Sequence, residues 1–182
     1  MEGRDGNPTQ ITEGNFVPTL LQWLDEGVKM ALEVHDDGSA VGEGGSAVLA
    51  APFYEGSARA LRMLQPEEAR AGGIVDLEGT VGAYTMQAVV GWASDAGARK
   101  SSAIAAARAL LAVTKQGNDG CPAAAQFVAA GLTVLQSTQL SLEDEELRAA
   151  VGSRVVAWSG AARKCDELGE GVRQRLDMLQ QQ

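Results

Sequence analysis

The sequence predicts an all-α protein: an up-and-down bundle of four helices over about residues 77–180, preceded by an arm and an amphipathic helix joined through a Gly-rich linker. Three observations lead there. From Leu77 onward, four amphipathic segments are separated by short turns of the kind that join antiparallel helices. One of them, residues 123–135, has only Gln126 and Thr133 as polar residues, and a helix apolar nearly all round belongs in the middle of a bundle. The last carries a seam of Val151, Val155, Trp158, Ala162, Cys165, Gly169, Val172, Leu176 and Leu179 at alternating steps of four and three.

Residues 1–15 hold Gly, Asn, Pro and Thr without periodicity and read as a flexible arm. Residues 16–76 form an acidic N-terminal helix and linker region. The helix starts near Phe16, with Asn15 as cap and Pro18 in the first turn, where a missing N–H costs little. Val17, Leu20, Leu21, Leu24, Val28 and Ala31 make its apolar stripe, and it ends at "HDDG". "GSAVGEGGSA" is a linker by composition. "VLAAPFYEG" reads as a short strand or extended connector, and "SARALRMLQ" as a short helix closed by Pro66.

The first bundle helix is marked by Leu77, Val81, Tyr84, Ala88 and Trp92, and "SDAG" ends it. The second spans about Lys100 to Gln116 and stops at Gly117. Pro122 opens the third. Ser141, followed by Asp144, is the capping pattern of the fourth. The seam of that fourth helix keeps phase across Gly169 and Gly171, so one long helix with a local bend is expected to carry it to about residue 180. Residues 77–182 then form one bundle with a long C-terminal helix. Its last turns, with Val172, Leu176 and Leu179, would outreach the other helices and want cover from another chain.

A chain of 182 residues buries roughly 70% of its unfolded surface in one domain and needs no staples. Its two cysteines, Cys121 and Cys165, lie in unlike contexts, as in a reduced intracellular protein. No apolar run reaches membrane-spanning length, and the polar N-terminus lacks the apolar stretch of a signal peptide. The expectation is a soluble intracellular protein, or a virion component, without membrane partners. The net charge of −9 is uneven: residues 1–78 hold 14 acidic and 5 basic residues, and residues 79–182 hold 10 of each. Such a field opposes general binding to phosphate backbones but leaves room for a local basic groove.

No motif carries catalysis. "VGEGGSAV" lacks the Lys and the Gly-Lys-Ser/Thr ending of a phosphate loop, and "GARKSSA" reads as a turn followed by a helix start. His35, the lone histidine, sits beside Asp36 and Asp37 at a solvated helix end. Zinc would need ligands that Cys121 and Cys165 do not supply at metal-site spacing. The carboxylates of "LEDEEL" sit where a helix N-terminus favours negative charge. Trp23, Trp92 and Trp158 each fall within an apolar stripe, so all three are expected in core packing.

The order of "PTLLQWLDEGVKMALEV", "GIVDLEGTVGAY" and "ARKSSAIAAARAL" resembles the core of flexible filamentous plant-virus coat proteins. The resemblance is confined to those stretches; the intervening lengths differ, and the aromatic motifs of that family after the second block are missing. It implies assembly around a nucleic acid.

The expected function is a self-associating structural protein that forms an oligomer, shell or filament, a viral coat or nucleoprotein being one version. Its self-association residues are Val172, Leu176, Leu179, Leu20 and Leu24, and a nucleic-acid groove would use Arg99, Lys100 and Arg108. One alternative is an acidic binding module, or nucleic-acid mimic, that presents residues 1–78 to a basic partner. Another is an enzyme of unknown class, for which the sequence names no catalytic residue, cofactor, metal or small-molecule substrate.

Overall fold

The computed structural model describes residues 16–36, 45–113, 120–141, 144–163 and 169–179, without the side chains of 31–36, 45, 46, 120–123 and 179. The regular structure among the described residues is all helical: α1 (Phe16–Asp36), α2 (Gly45–Leu61), α3 (Pro66–Ala71), α4 (Leu77–Asp95), α5 (Lys100–Ala112), α6 (Gly120–Gln136), α7 (Glu145–Ala162) and α8 (Glu170–Leu179). The all-α class holds. The count of four helices does not, because the N-terminal region is itself a helical layer and the last helix is two.

Helices α4 to α7 form the bundle, and their connecting ends show its alternation. Ser137, just past α6, donates to the carbonyl of Ala96, just past α4. Lys100 at the start of α5 lies 3.0 Å from the carboxylate of Asp144 at the start of α7. The C-terminal ends of α4 and α6 therefore meet the N-terminal ends of α5 and α7, which is up-and-down order. Phe127, Val128 and Val134 of α6 are fully buried beside Leu110, Val151 and Val155, as the nearly continuous apolar sequence of this helix requires. Helix α5 ends at Ala112, earlier than its pattern suggests, with Val113 already extended. Helix α7 takes Asp144 as its N-cap. The Asp144 carboxylate reaches back to accept from the backbone N–H and the hydroxyl of Ser141, at 3.0 and 2.9 Å.

"VLAAPFYEG" is neither strand nor connector; it is the middle of α2. Pro52 removes one hydrogen bond from that helix, but its ring is exposed while Ala50, Ala51 and Ala58 are buried. Burial against α4 outweighs the local penalty. The approach is close enough that a Cβ on Gly91 of α4 would stand 2.3 Å from the carbonyl oxygen of Ala47 and 2.7 Å from Cβ of Ala51. Gly91→Val is therefore expected to cost about 1–3 kcal/mol in urea unfolding, because backbone cannot yield as a side chain can. On the same helix a Cβ at Gly82 meets nothing within 4 Å. Gly82→Ala should instead stabilise by roughly 0.5–1 kcal/mol, and equal effects at the two sites would contradict the crossing.

A second apolar cluster joins Val17, Ala58, Leu61, Ala69, Ile74 and Val81. Helix α4 contributes Val81 to this cluster and Met86, Val89 and Ala93 to the bundle core, so it ties the two layers together. Pro66 closes α2's segment and opens α3, where its missing N–H is tolerated.

The long final helix is not continuous. Helix α7 stops at Ala162, and α8 begins at Glu170. Arg163 donates to the Asp177 carboxylate at 2.8 Å; in one unbroken helix those residues would be about 21 Å apart. The chain turns back, and α8 lies against α6, with Arg175 donating to the side-chain oxygen of Gln136 at 2.7 Å.

Candidate interaction surfaces

The seam on α8 finds its partner inside the same chain. Leu176 is 1% exposed in the bundle core, and Val172 packs against that core half-buried. Neither is free for a second copy, which corrects the expectation of an overreaching C-terminal tip. The physical reason is that α8 is a separate helix from α7 and lays its apolar side on α6 instead of extending it into solvent. The side chain of Leu179 lies outside the described residues. On α1, Leu24 is buried and Leu20 is half-buried against the second cluster, so these two also serve the monomer.

What α1 leaves uncovered is a different stripe. Trp23 is 55% exposed and Met30 57% exposed; with Gly27 between them they follow the one-face spacing of a helix. Leu49 and Phe53, one turn apart on α2, are also exposed. The Phe53 ring joins the two helices: it occupies the space that a Cβ on Gly27 would need, 2.3 Å from its Cδ1. Trp23, Met30, Leu49 and Phe53 thus make one apolar strip along the α1–α2 seam. The expectation that Trp23 packs in the core fails here, because Val17 and Leu24 take the inward side. Trp158 does pack in the core, stacked on Phe127.

The basic residues separate into two places. Arg99 donates to the Asp95 carboxylate at 2.6 Å, and Ser102 donates to the same oxygen. These hydrogen bonds, Arg99 first, hold Asp95 below the usual carboxylate range. Lys100 pairs with Asp144 and donates to the Ser141 hydroxyl at 3.1 Å; its hydrogen bond is the chief reason Asp144 is also lowered. Arg99 and Lys100 are therefore consumed in pinning the α4–α5 turn and the head of α7.

Arg108 lies elsewhere. A groove of about 590 Å³ runs between α2, α4 and α5, and its lining brings Arg59, Arg62 and Arg108 together. Ser101, Ile104, Ala105 and Arg108 of α5 reach it because they share one helical face. The space exists because the floor is largely alanine: Ala58, Ala88, Ala105, Ala109 and Ala112. Arg62 is anchored across the floor, donating to the Thr85 hydroxyl at 2.7 Å and to the carbonyl of Ala112 at 3.5 Å. Arg59 pairs with Glu55 at 2.9 Å, and the other oxygen of Glu55 accepts from the Trp92 indole at 3.2 Å. Arg108 forms no hydrogen bond or ion pair among the described residues. Arg59 and Arg62 belong to the acidic half of the sequence, so the charge tally by halves concealed them.

Among the described residues, no group of three or more His, Cys, Asp or Glu side chains could hold a metal ion. The side chains of His35 and Cys121, and residue Cys165, lie outside the described residues. No described helix is long and apolar enough to cross a membrane. No known protein family, curated protein or solved structure matches this chain.

Proposed function

We propose that the chain is a self-associating structural protein whose α1–α2 hairpin docks on the same hairpin of a second copy. The observation that carries this reading is the exposed strip of Trp23, Met30, Leu49 and Phe53. Large aromatic side chains left in water on one face are the residues that dominate binding energy when an interface closes over them. The strip is flanked by both signs of charge, since Lys29 sits 2.5 Å from Asp25 beside Glu26. A two-fold arrangement running the two α1 helices antiparallel lets Lys29 of one copy face the acidic pair of the other.

A shell or filament needs a further, non-equivalent contact, and a coat or nucleoprotein role adds a bound strand to it. The acidic-module reading would draw on the same half of the sequence, where Asp25 and Glu55 pair within their helices to Lys29 and Arg59.

The test is sedimentation equilibrium across a wide concentration range, for the full chain and for Trp23→Ser combined with Met30→Ser. Self-association in the parent, weakened at least about a hundredfold by the double substitution with an unchanged thermal midpoint, is the expected result. A parent that stays monomeric at every concentration overturns the proposal.

A further inference from the structure

We propose that the α2–α4–α5 groove is a binding site for a phosphate-bearing ligand, held between Arg59 and Arg62 on one wall and Arg108 on the other. This inference is independent of the hairpin interface, with which it shares no residue.

Two features of the groove converge on an anion. Its lining sets three guanidiniums against a single carboxylate, Glu55, inside a chain whose net charge is −9. Like charges drawn together on one groove repel unless an anion is shared among them. The guanidiniums also differ in readiness. Arg62 is pre-positioned by Thr85 and Ala112, which fixes its fork without using all of its N–H groups. Arg108 is uncommitted among the described residues, facing the same space from the opposite helix. Arg59 is held by Glu55, whose other oxygen is tied to Trp92, so an arriving anion competes with one carboxylate oxygen only.

Size and floor narrow the class. About 590 Å³ is the volume of a small-ligand cleft. Planar guanidinium forks match the oxygens of phosphate in pairs, a geometry that a lysine patch does not impose. The Ser101 hydroxyl lines the same space, and the alanine floor with Ile104 offers apolar contact to whatever the phosphate carries. Two sources present this chemistry: a free diphosphate or nucleotide, and the backbone of a single nucleic-acid strand.

Calorimetric titration of the full chain with inorganic pyrophosphate, adenosine diphosphate and a short single-stranded RNA distinguishes them. Binding of at least one is expected, with pyrophosphate displacing the tighter ligand. Arg108→Gln and Arg59→Gln should each weaken binding about tenfold or more, with thermal midpoints unchanged because neither side chain is buried. If RNA is the tightest ligand, the slope of log affinity against log salt should fall in magnitude by about 1 for each arginine removed. If adenosine diphosphate binds best, the site is a nucleotide pocket. Absence of binding by all three probes overturns the proposal. So does binding that both substitutions leave intact.

Discussion

Leu176→Asp releases α8 and destabilises the monomer by about 3–5 kcal/mol, the cost of an uncompensated charge in an apolar site. The side chain is 1% exposed and sits in the same cluster as Phe127, Val134 and Val155, so an aspartate there must either be buried without a partner or pull the helix off α6. The Arg163–Asp177 bond and the Arg175–Gln136 bond, both surface-exposed, are too weak to hold α8 down alone. Met178→Asp on the same helix starts from 57% exposure and should change stability by under about 1 kcal/mol. Urea unfolding of the two variants makes the comparison. Had α8 projected toward another chain, Leu176→Asp would dissolve an oligomer and leave the monomer's stability intact. That outcome would overturn the folded-back position of α8.

Phe127→Ala is expected to cost about 3–5 kcal/mol. Phe127 is fully buried on the most apolar helix of the bundle, and its ring stacks on the Trp158 indole with centroids 4.2 Å apart and planes inclined by 11°. Part of the loss is transfer and cavity energy; the stacked pair adds roughly 0.5–1.5 kcal/mol beyond burial. Trp158 reports the change directly. Its near-ultraviolet circular dichroism should fall as the ring loses its neighbour, while far-ultraviolet helicity below the unfolding transition stays. A stability loss below about 1 kcal/mol would remove Phe127 from the centre of the core.

Much of the helix layout was legible because it depends on short-range pattern. Pro18 and Pro122, and the reach of Asp144 to Ser141, mark helix starts through backbone chemistry that operates within a turn or two. The stripe of Leu77, Val81 and Ala88 needs no distant residue to be recognised. The first two-thirds of helix α2 escaped notice because Pro52, Gly56 and Phe53 argue against a helix locally, and what overrides them is contact with α4 at Gly91. The interaction surfaces were scarcely legible. Trp23 and Leu24 are neighbours in an apolar stripe, yet one is exposed and the other buried, a difference of helix rotation that hydropathy does not resolve. Arg108 was picked out with Arg99 and Lys100 by proximity in sequence, but its companions in the groove are Arg59 and Arg62.

By itself, then, the sequence determined that this protein is helical, where most of its helices begin, and that each has a face in need of cover. Tertiary structure alone decided what supplies that cover: α6 for the seam of α8, α4 for α2, and nothing within the described chain for the strip at Trp23 and Phe53. Periodicity is a property of consecutive residues and identifies an apolar face, whereas the partner of that face depends on how loops reverse the chain. Charge follows the same rule, since a groove collects side chains by position in space and a linear tally averages them with their sequence neighbours.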